Sequence, residues 1–98
     1  ACVPGEARLD PQAVRAFLGG PYKRLSFASA EEIRAVTGCV PGAVAPLCLP
    51  AEVPVVMDEV FGTLARCNIS SGDPLAGLEL AAPDLIRAAG ARLARITL

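Results

Sequence analysis

The residues of this 98-residue chain that could do chemistry fall mainly in two places. One is Thr37-Gly38-Cys39-Val40-Pro41-Gly42-Ala43-Val44-Ala45-Pro46-Leu47, which contains a G-x-x-x-P run from Gly42 to Pro46. A rigid, proline-bounded loop can aim backbone N–H groups into a concavity and bind a carboxylate, a carbonyl or an oxyanion without a charged side chain. A plain crossover loop has the same composition, so the pattern alone leaves both readings open. The other place is Ser70-Ser71-Gly72 with Glu79. On adjacent antiparallel strands a hydroxyl and a carboxylate can share a face, although a Glu between Leu78 and Leu80 equally suits a solvent-facing position. A third acidic pair, Asp58-Glu59, follows an apolar run and is expected to cap the next turn.

The chain contains no His. That removes the commonest general base at neutral pH, and with it any Ser-His-Asp or Cys-His nucleophile arrangement within these residues. Catalysis here has to rest on carboxylates, backbone amides or a group on the substrate. The four cysteines, Cys2, Cys39, Cys48 and Cys67, form no C-x-x-C pair, so zinc-site spacing is missing and neither metal nor cofactor is expected. All four read as reduced thiols, mostly small core residues.

The elements that must position these groups carry clear local signals. Ala1-Cys2-Val3-Pro4-Gly5 reads as the end of a buried strand running into a turn, cut rather than begun. It is expected to pair centrally, beside an exposed apolar groove where an upstream segment would lie. Asp10-Pro11 starts a helix to Leu18, with Val14, Phe17 and Leu18 inward and Gly19-Gly20 as its stop. Arg24 to Ala28 alternates polar and apolar, the pattern of a half-buried strand. Ser29-Ala30-Glu31-Glu32 is a capping box for a second helix, near residues 30–37, with Ile33 and Val36 on its apolar face. Pro54 to Met57 predicts a buried strand. Cys67 to Ser70 and Gly77 to Leu80 predict a hairpin with a wide loop over residues 71–76. Pro83-Asp84 opens a third helix near residues 83–89, with Leu85, Ile86 and Ala89 inward, and Arg92 to Leu98 closes as a strand. This order predicts one α+β domain over residues 1–98, a mixed, curved sheet or partial barrel flanked by short helices.

Composition narrows the function classes. Hydrophobic residues make up 53% of the chain, enough to build a core from Val, Leu, Ile and Ala. The net charge of −1 and the scattered arginines argue against DNA or general duplex binding, which calls for a basic excess. Only Lys23-Arg24 and Arg87/Arg92/Arg95 could form local patches, which leaves contact with one end of an RNA. Apolar runs are broken by Pro and Gly before membrane-spanning length and no signal peptide is visible, so a cytoplasmic protein without a membrane partner is expected.

The ordered blocks resemble a known family. Pro4-Gly5-Glu6-Ala7-Arg8-Leu9-Asp10, Ala28 to Ile33, Thr37-Gly38, Pro41 to Leu47, Val55 to Glu59, Ser70-Ser71-Gly72, Gly77 to Leu80 and Pro83 to Ala91 look like successive blocks of the YbaK/ProX family. These are free-standing relatives of the editing domain of bacterial prolyl-tRNA synthetase. The resemblance implies a trans-editing aminoacyl-tRNA deacylase that hydrolyses the ester of alanyl- or cysteinyl-tRNA for proline. Its partners would be the acceptor end of mischarged tRNA and prolyl-tRNA synthetase. It also implies that the chain is the C-terminal two-thirds of the domain, with the family's N-terminal part and pocket lysine upstream; Lys23 is not that lysine. Carried over by motif, Gly42 to Pro46 is the substrate loop, with Gly42 polarising the ester carbonyl and Ala43 and Pro46 lining the site. Ser70 and Glu79 would bind the amino acid's ammonium group or position water. Ala43 stands where many members have a second Gly, a change that could narrow the loop. Two other readings of the same fold are a non-catalytic module that binds tRNA or synthetase, and an amino-acid sensor.

Overall fold

The computed structural model of the chain describes residues 1–22 and 24–98, so the Lys23 half of the Lys23-Arg24 patch lies outside the described residues. Three eight-residue helices form where local capping dictates. In α1 (Pro11–Leu18) the Asp10 carboxylate accepts from the Gln12 and Ala13 amides. In α2 (Ala30–Thr37) Ser29 and Glu32 exchange the two hydrogen bonds of a capping box. The third, α3 (Ala82–Ala89), carries Pro83 in its first turn and ends at Gly90. Their burial is less uniform than their sequence pattern. Leu85 and Val14 are buried, but no residue of α2 is, and Val36 is exposed. Phe17, expected inward, is partly exposed beneath the Arg92 guanidinium, 4.9 Å from its ring centroid.

The strands are β1 (Val56–Asp58), β2 (Arg66–Ser70), β3 (Gly77–Ala81) and β4 (Arg92–Ala94), with a short 3₁₀ helix, Glu59–Thr63, between β1 and β2. Parallel β1 and β4 pair Val56 with Arg92 and Met57 with Leu93. On the opposite edge of β1, Cys2 donates to the Val56 carbonyl at 2.8 Å and accepts from the Asp58 amide at 2.9 Å. The first residues thus pair centrally, as expected, and β1 lies between two parallel neighbours. Alternation along β1 then divides the core: Val55 and Met57 pack with Phe61 and Leu85, while Val56 faces Val14 and Ile96.

The α+β class and the mixed strand directions are as expected. The strands are divided between two two-stranded sheets, β1-β4 and β2-β3, and no closed barrel forms among the described residues. The strand predicted over Arg24–Ala28 does not form. Alternation supplies an apolar face, but a strand also needs an edge that accepts its backbone hydrogen bonds, and this segment has no ladder partner among the described residues. Phe27 is 82% exposed as a result. Leu25 and Phe27 instead wall the predicted apolar groove, a cavity of 410 Å³ shared with Ala1, Leu9, Val14 and Val56. The strand expected to Leu98 stops at Ala94; beyond it Thr97 bridges Leu9 in the antiparallel sense, and Asp10 donates to the Ile96 carbonyl at 2.7 Å. All four cysteines are free thiols, with Cys2 and Cys67 packed against the core and Cys48 exposed.

Asp58 is the buried polar residue of this core. One carboxylate oxygen accepts from the Val60 amide at 3.1 Å, capping the 3₁₀ helix as its position after an apolar run suggested. The other accepts from the Ile96 amide at 3.1 Å and the Thr97 hydroxyl at 3.2 Å. Burial pushes the Asp58 carboxyl up, but these donors outweigh it and hold the group below its ordinary value. A carboxylate depressed in the folded state stabilises the fold fully above its unfolded pKa, about 3.9, and that stabilisation is lost as pH falls through the lower folded value. Asp58→Asn is therefore expected to cost about 2–3 kcal/mol at pH 7, the scale of hydrogen bonds to a charged acceptor. Urea unfolding of parent and variant should show that gap narrowing as the pH is lowered below 4. A gap that is constant with pH would mean that the carboxylate charge contributes nothing.

Candidate functional site

The hairpin β2-β3 brings two of the sequence-selected regions together. Its antiparallel register sets Ser70 opposite Gly77 and Asn68 opposite Glu79. Period-two alternation places Arg66, Asn68 and Ser70 on one face of β2, with Gly77 and Glu79 facing them across the hairpin. From the other side comes the turn Val40–Ala43, closed by the Ala43 amide donating to the Val40 carbonyl at 3.1 Å. Pro41 holds its second position and Gly42 its third, with φ +88°. Those are the residues a type II turn prefers, because the third residue must take positive φ. In such a turn the peptide between the two central residues stands clear of the closing hydrogen bond.

Turn and hairpin meet at one hydrogen bond: the Ser70 hydroxyl donates to the Gly42 carbonyl at 3.3 Å. A second contact lies nearby, where the Cys39 sulfur sits 3.8 Å from the position a Cβ on Gly72 would take. Between them opens a cavity of 460 Å³ lined by Gly42, Asn68, Ser70, Asp73, Leu75 and Gly77, among others. Its lining mixes the small residues Gly42, Ser70, Ala76 and Gly77 with Asn68, Ile69, Pro74 and Leu75, and Asp73 brings a carboxylate. A Cβ placed on Gly42 would meet nothing within 4 Å, so the space above this residue is open to a ligand.

The structure separates the expected site residues. Gly42 and Ser70 line the cavity together. Ala43 does not: its side chain is 2% exposed, packed inward, and its amide is committed to Val40. The Cβ at this position packs inward beneath the turn, outside the cavity lining. Pro46 is half-buried and is not among the lining residues. Glu79 shares the hairpin face with Ser70 but lies beyond the cavity, its carboxylate paired with the Arg66 guanidinium at 2.9 Å. Cys2 is no nucleophile candidate, since burial pushes its thiol up and its backbone is tied to β1. Among the described residues, no group of His, Cys, Asp or Glu is arranged to hold a metal ion.

Among the lining residues that sequence reasoning did not select for the site are Asn68, Asp73 and Leu75. Asn68 had a signal, since it lies two residues before Ser70 in a strand and so shares its face. Asp73 and Leu75 read only as part of a turn.

Because the space above Gly42 is empty, a substitution there is opposed by backbone conformation alone. Gly42→Ala is expected to cost about 1–2 kcal/mol, the penalty for an L-residue in the left-handed region, and Gly42→Asn distinctly less, because Asn tolerates that region. Urea denaturation of the two variants measures the difference. Equal losses would mean that the turn does not require positive φ at this position.

The comparisons follow this geometry. Residues 1–88 match the aminoacyl-tRNA editing domain family. Among solved structures, the chain is similar to the hypothetical protein APE2540, with 28% identity and a TM-score of 0.83 over 98% of this chain and 63% of that one. It is also similar to a candidate trans-editing enzyme for prolyl-tRNA synthetase, with 29% identity and a TM-score of 0.84 over 96% of this chain and 58% of that one. A scaffold protein used for epitope backbone grafting shares the fold at 23% identity and a TM-score of 0.83, over 96% of this chain and 59% of that one. The chain thus spans about three-fifths of the length of these structures. No curated protein matches the sequence. With 88 of its 98 residues matched, the chain belongs to the aminoacyl-tRNA editing domain family.

Proposed function

We propose that the cavity between the Val40–Ala43 turn and the β2-β3 hairpin is the ester-hydrolysing site of a trans-editing deacylase. Its substrate would be tRNA carrying the wrong amino acid, alanyl- or cysteinyl-tRNA for proline. The observation that carries the reading is the Ser70–Gly42 hydrogen bond, which sets a positive-φ glycine turn against the hairpin cavity in a chain of this family.

The chemistry is modest because an aminoacyl ester is already activated. Water oxygen adds to the ester carbonyl carbon, and the carbonyl electron pair moves onto oxygen. The resulting tetrahedral oxyanion collapses by breaking the bond to the ribose oxygen, which leaves with a proton. The products are the free amino acid and tRNA with a free hydroxyl. The Gly42 amide is the donor proposed for the oxyanion, and Ser70 holds the turn in place through the Gly42 carbonyl. Asp73, at the rim of the cavity, suits the substrate's ammonium group. With no His in the chain, the proton from the attacking water passes to a group on the substrate.

Deacylation of alanyl- and cysteinyl-tRNA for proline tests the reading. Gly42→Asn keeps the turn conformation and adds a side chain where the ester must approach. It is expected to lose turnover by about a hundredfold, the usual cost of one oxyanion donor, while circular dichroism remains that of the parent. Asp73→Asn is expected to raise KM and leave kcat nearly unchanged, since it acts through the bound ammonium group. A folded Gly42→Asn variant that clears mischarged tRNA at the parental rate would make the turn a mere connector.

A further inference from the structure

The rim of the cavity carries a feature that ester chemistry does not use. Leu75 is 94% exposed, the most exposed of the large hydrophobic residues, yet it sits in a well-tied loop. The Ser71 hydroxyl donates to the Ala76 carbonyl at 2.6 Å and accepts from the Asp73 amide at 3.3 Å. The Asp73 carboxylate accepts from the Leu75 amide at 2.9 Å, and the Ala76 amide donates to the Asp73 carbonyl at 3.1 Å. Pro74 fixes one further backbone angle between them. A leucine on a loose loop can fold back onto the protein, whereas these bonds hold Leu75 in water at the mouth of the cavity.

From this geometry we infer that Leu75, with Pro74, is a positioning surface for the base of the terminal nucleoside of the tRNA, packing against its face while the ester lies over Gly42. The inference rests on the reading of the cavity as an aminoacyl-ester site. The ester is joined to the terminal ribose, so that nucleoside is the first part of the RNA outside the reacting centre and must cross the rim. A nucleobase presents a flat, weakly hydrated face, and an exposed aliphatic side chain supplies a matching apolar contact. Among the described residues the cavity lining contains no aromatic ring for stacking and no Arg or Lys for phosphate; with Ile69 half-buried, Leu75 and Pro74 are its outward large apolar groups. Like aromatic platforms for single-stranded RNA, such a contact uses the face that every base shares.

The test is binding of the full chain to two acceptor-stem hairpin RNAs that end in a non-hydrolysable alanyl amide. One carries an intact terminal adenosine and the other lacks that base. Burying a large part of one leucine predicts that the parent binds the intact hairpin about tenfold more tightly than the abasic one. Leu75→Ser should bind both with equal, weaker affinity, and Leu75→Met should recover most of the preference. A Leu75→Ser variant that keeps the parental preference would overturn the inference, as would a parent that does not distinguish the two RNAs or binds neither. Deacylation measured in parallel separates the two claims. Base-dependent binding without ester hydrolysis would support the role of Leu75 and refute the deacylase reading, whereas hydrolysis without base preference would do the reverse.

Discussion

A buried carboxylate ties together parts of the chain that lie far apart in sequence. Asp58 ends β1, caps the 3₁₀ helix that leads to the hairpin, and receives the Ile96 amide and Thr97 hydroxyl from the far end of the chain. Short strands cannot do this alone: β1 and β4 contribute three residues each, too few ladder bonds to set an orientation firmly. A charged acceptor with several donors is stronger than neutral hydrogen bonds of the same number, and it is intolerant of misplacement because an unpaired buried charge is costly. The central position of β1, with Cys2 on one edge and β4 on the other, is fixed by the same group. From there the 3₁₀ helix directs the chain into β2, and β2 presents Ser70.

The site itself follows from two rigid, local structures brought face to face. The Val40–Ala43 turn is set by Pro41 and Gly42 and anchored from below by the buried side chains of Ala43 and Ala45. The hairpin is set by its register and by the bonded loop over residues 71–76. Neither contains a cavity alone. On the proposed reading the reacting surface is backbone, and the side chains around it mainly determine where that backbone stands. On that reading a chain without His needs placement more than a side-chain base, and glycine and proline supply it.

Legibility in the sequence tracked how local each determinant was. The three helices were readable because Asp10, the Ser29–Glu32 box and Pro83 act within one turn of chain. The hairpin was readable because alternation and a turn are near neighbours in sequence. Segment 24–28 was misread because its pattern specifies an apolar face but not an edge to pair with, and pairing is a tertiary property. The same limit separated the site residues. Gly42 and Ser70 carried motif signals and converge, but the inward packing of Ala43 and the Glu79–Arg66 ion pair depend on neighbours outside any motif. Asp73 and Leu75 gain their meaning only from the cavity that the distant turn completes.

The hydrogen bond from Ser70 to Gly42 spans 28 residues of sequence. Closing a loop of that length costs conformational entropy that the denatured chain keeps, so the cavity exists only in molecules whose loop has already closed. Occupancy and folding are therefore thermodynamically linked. A ligand present at a hundred times its dissociation constant would deepen the native well by about 2.7 kcal/mol, without touching the core. For a domain of this modest size, that is a substantial part of its total stability. The population of intact molecules would then rise with the supply of whatever ligand the cavity takes, making abundance itself responsive to that ligand.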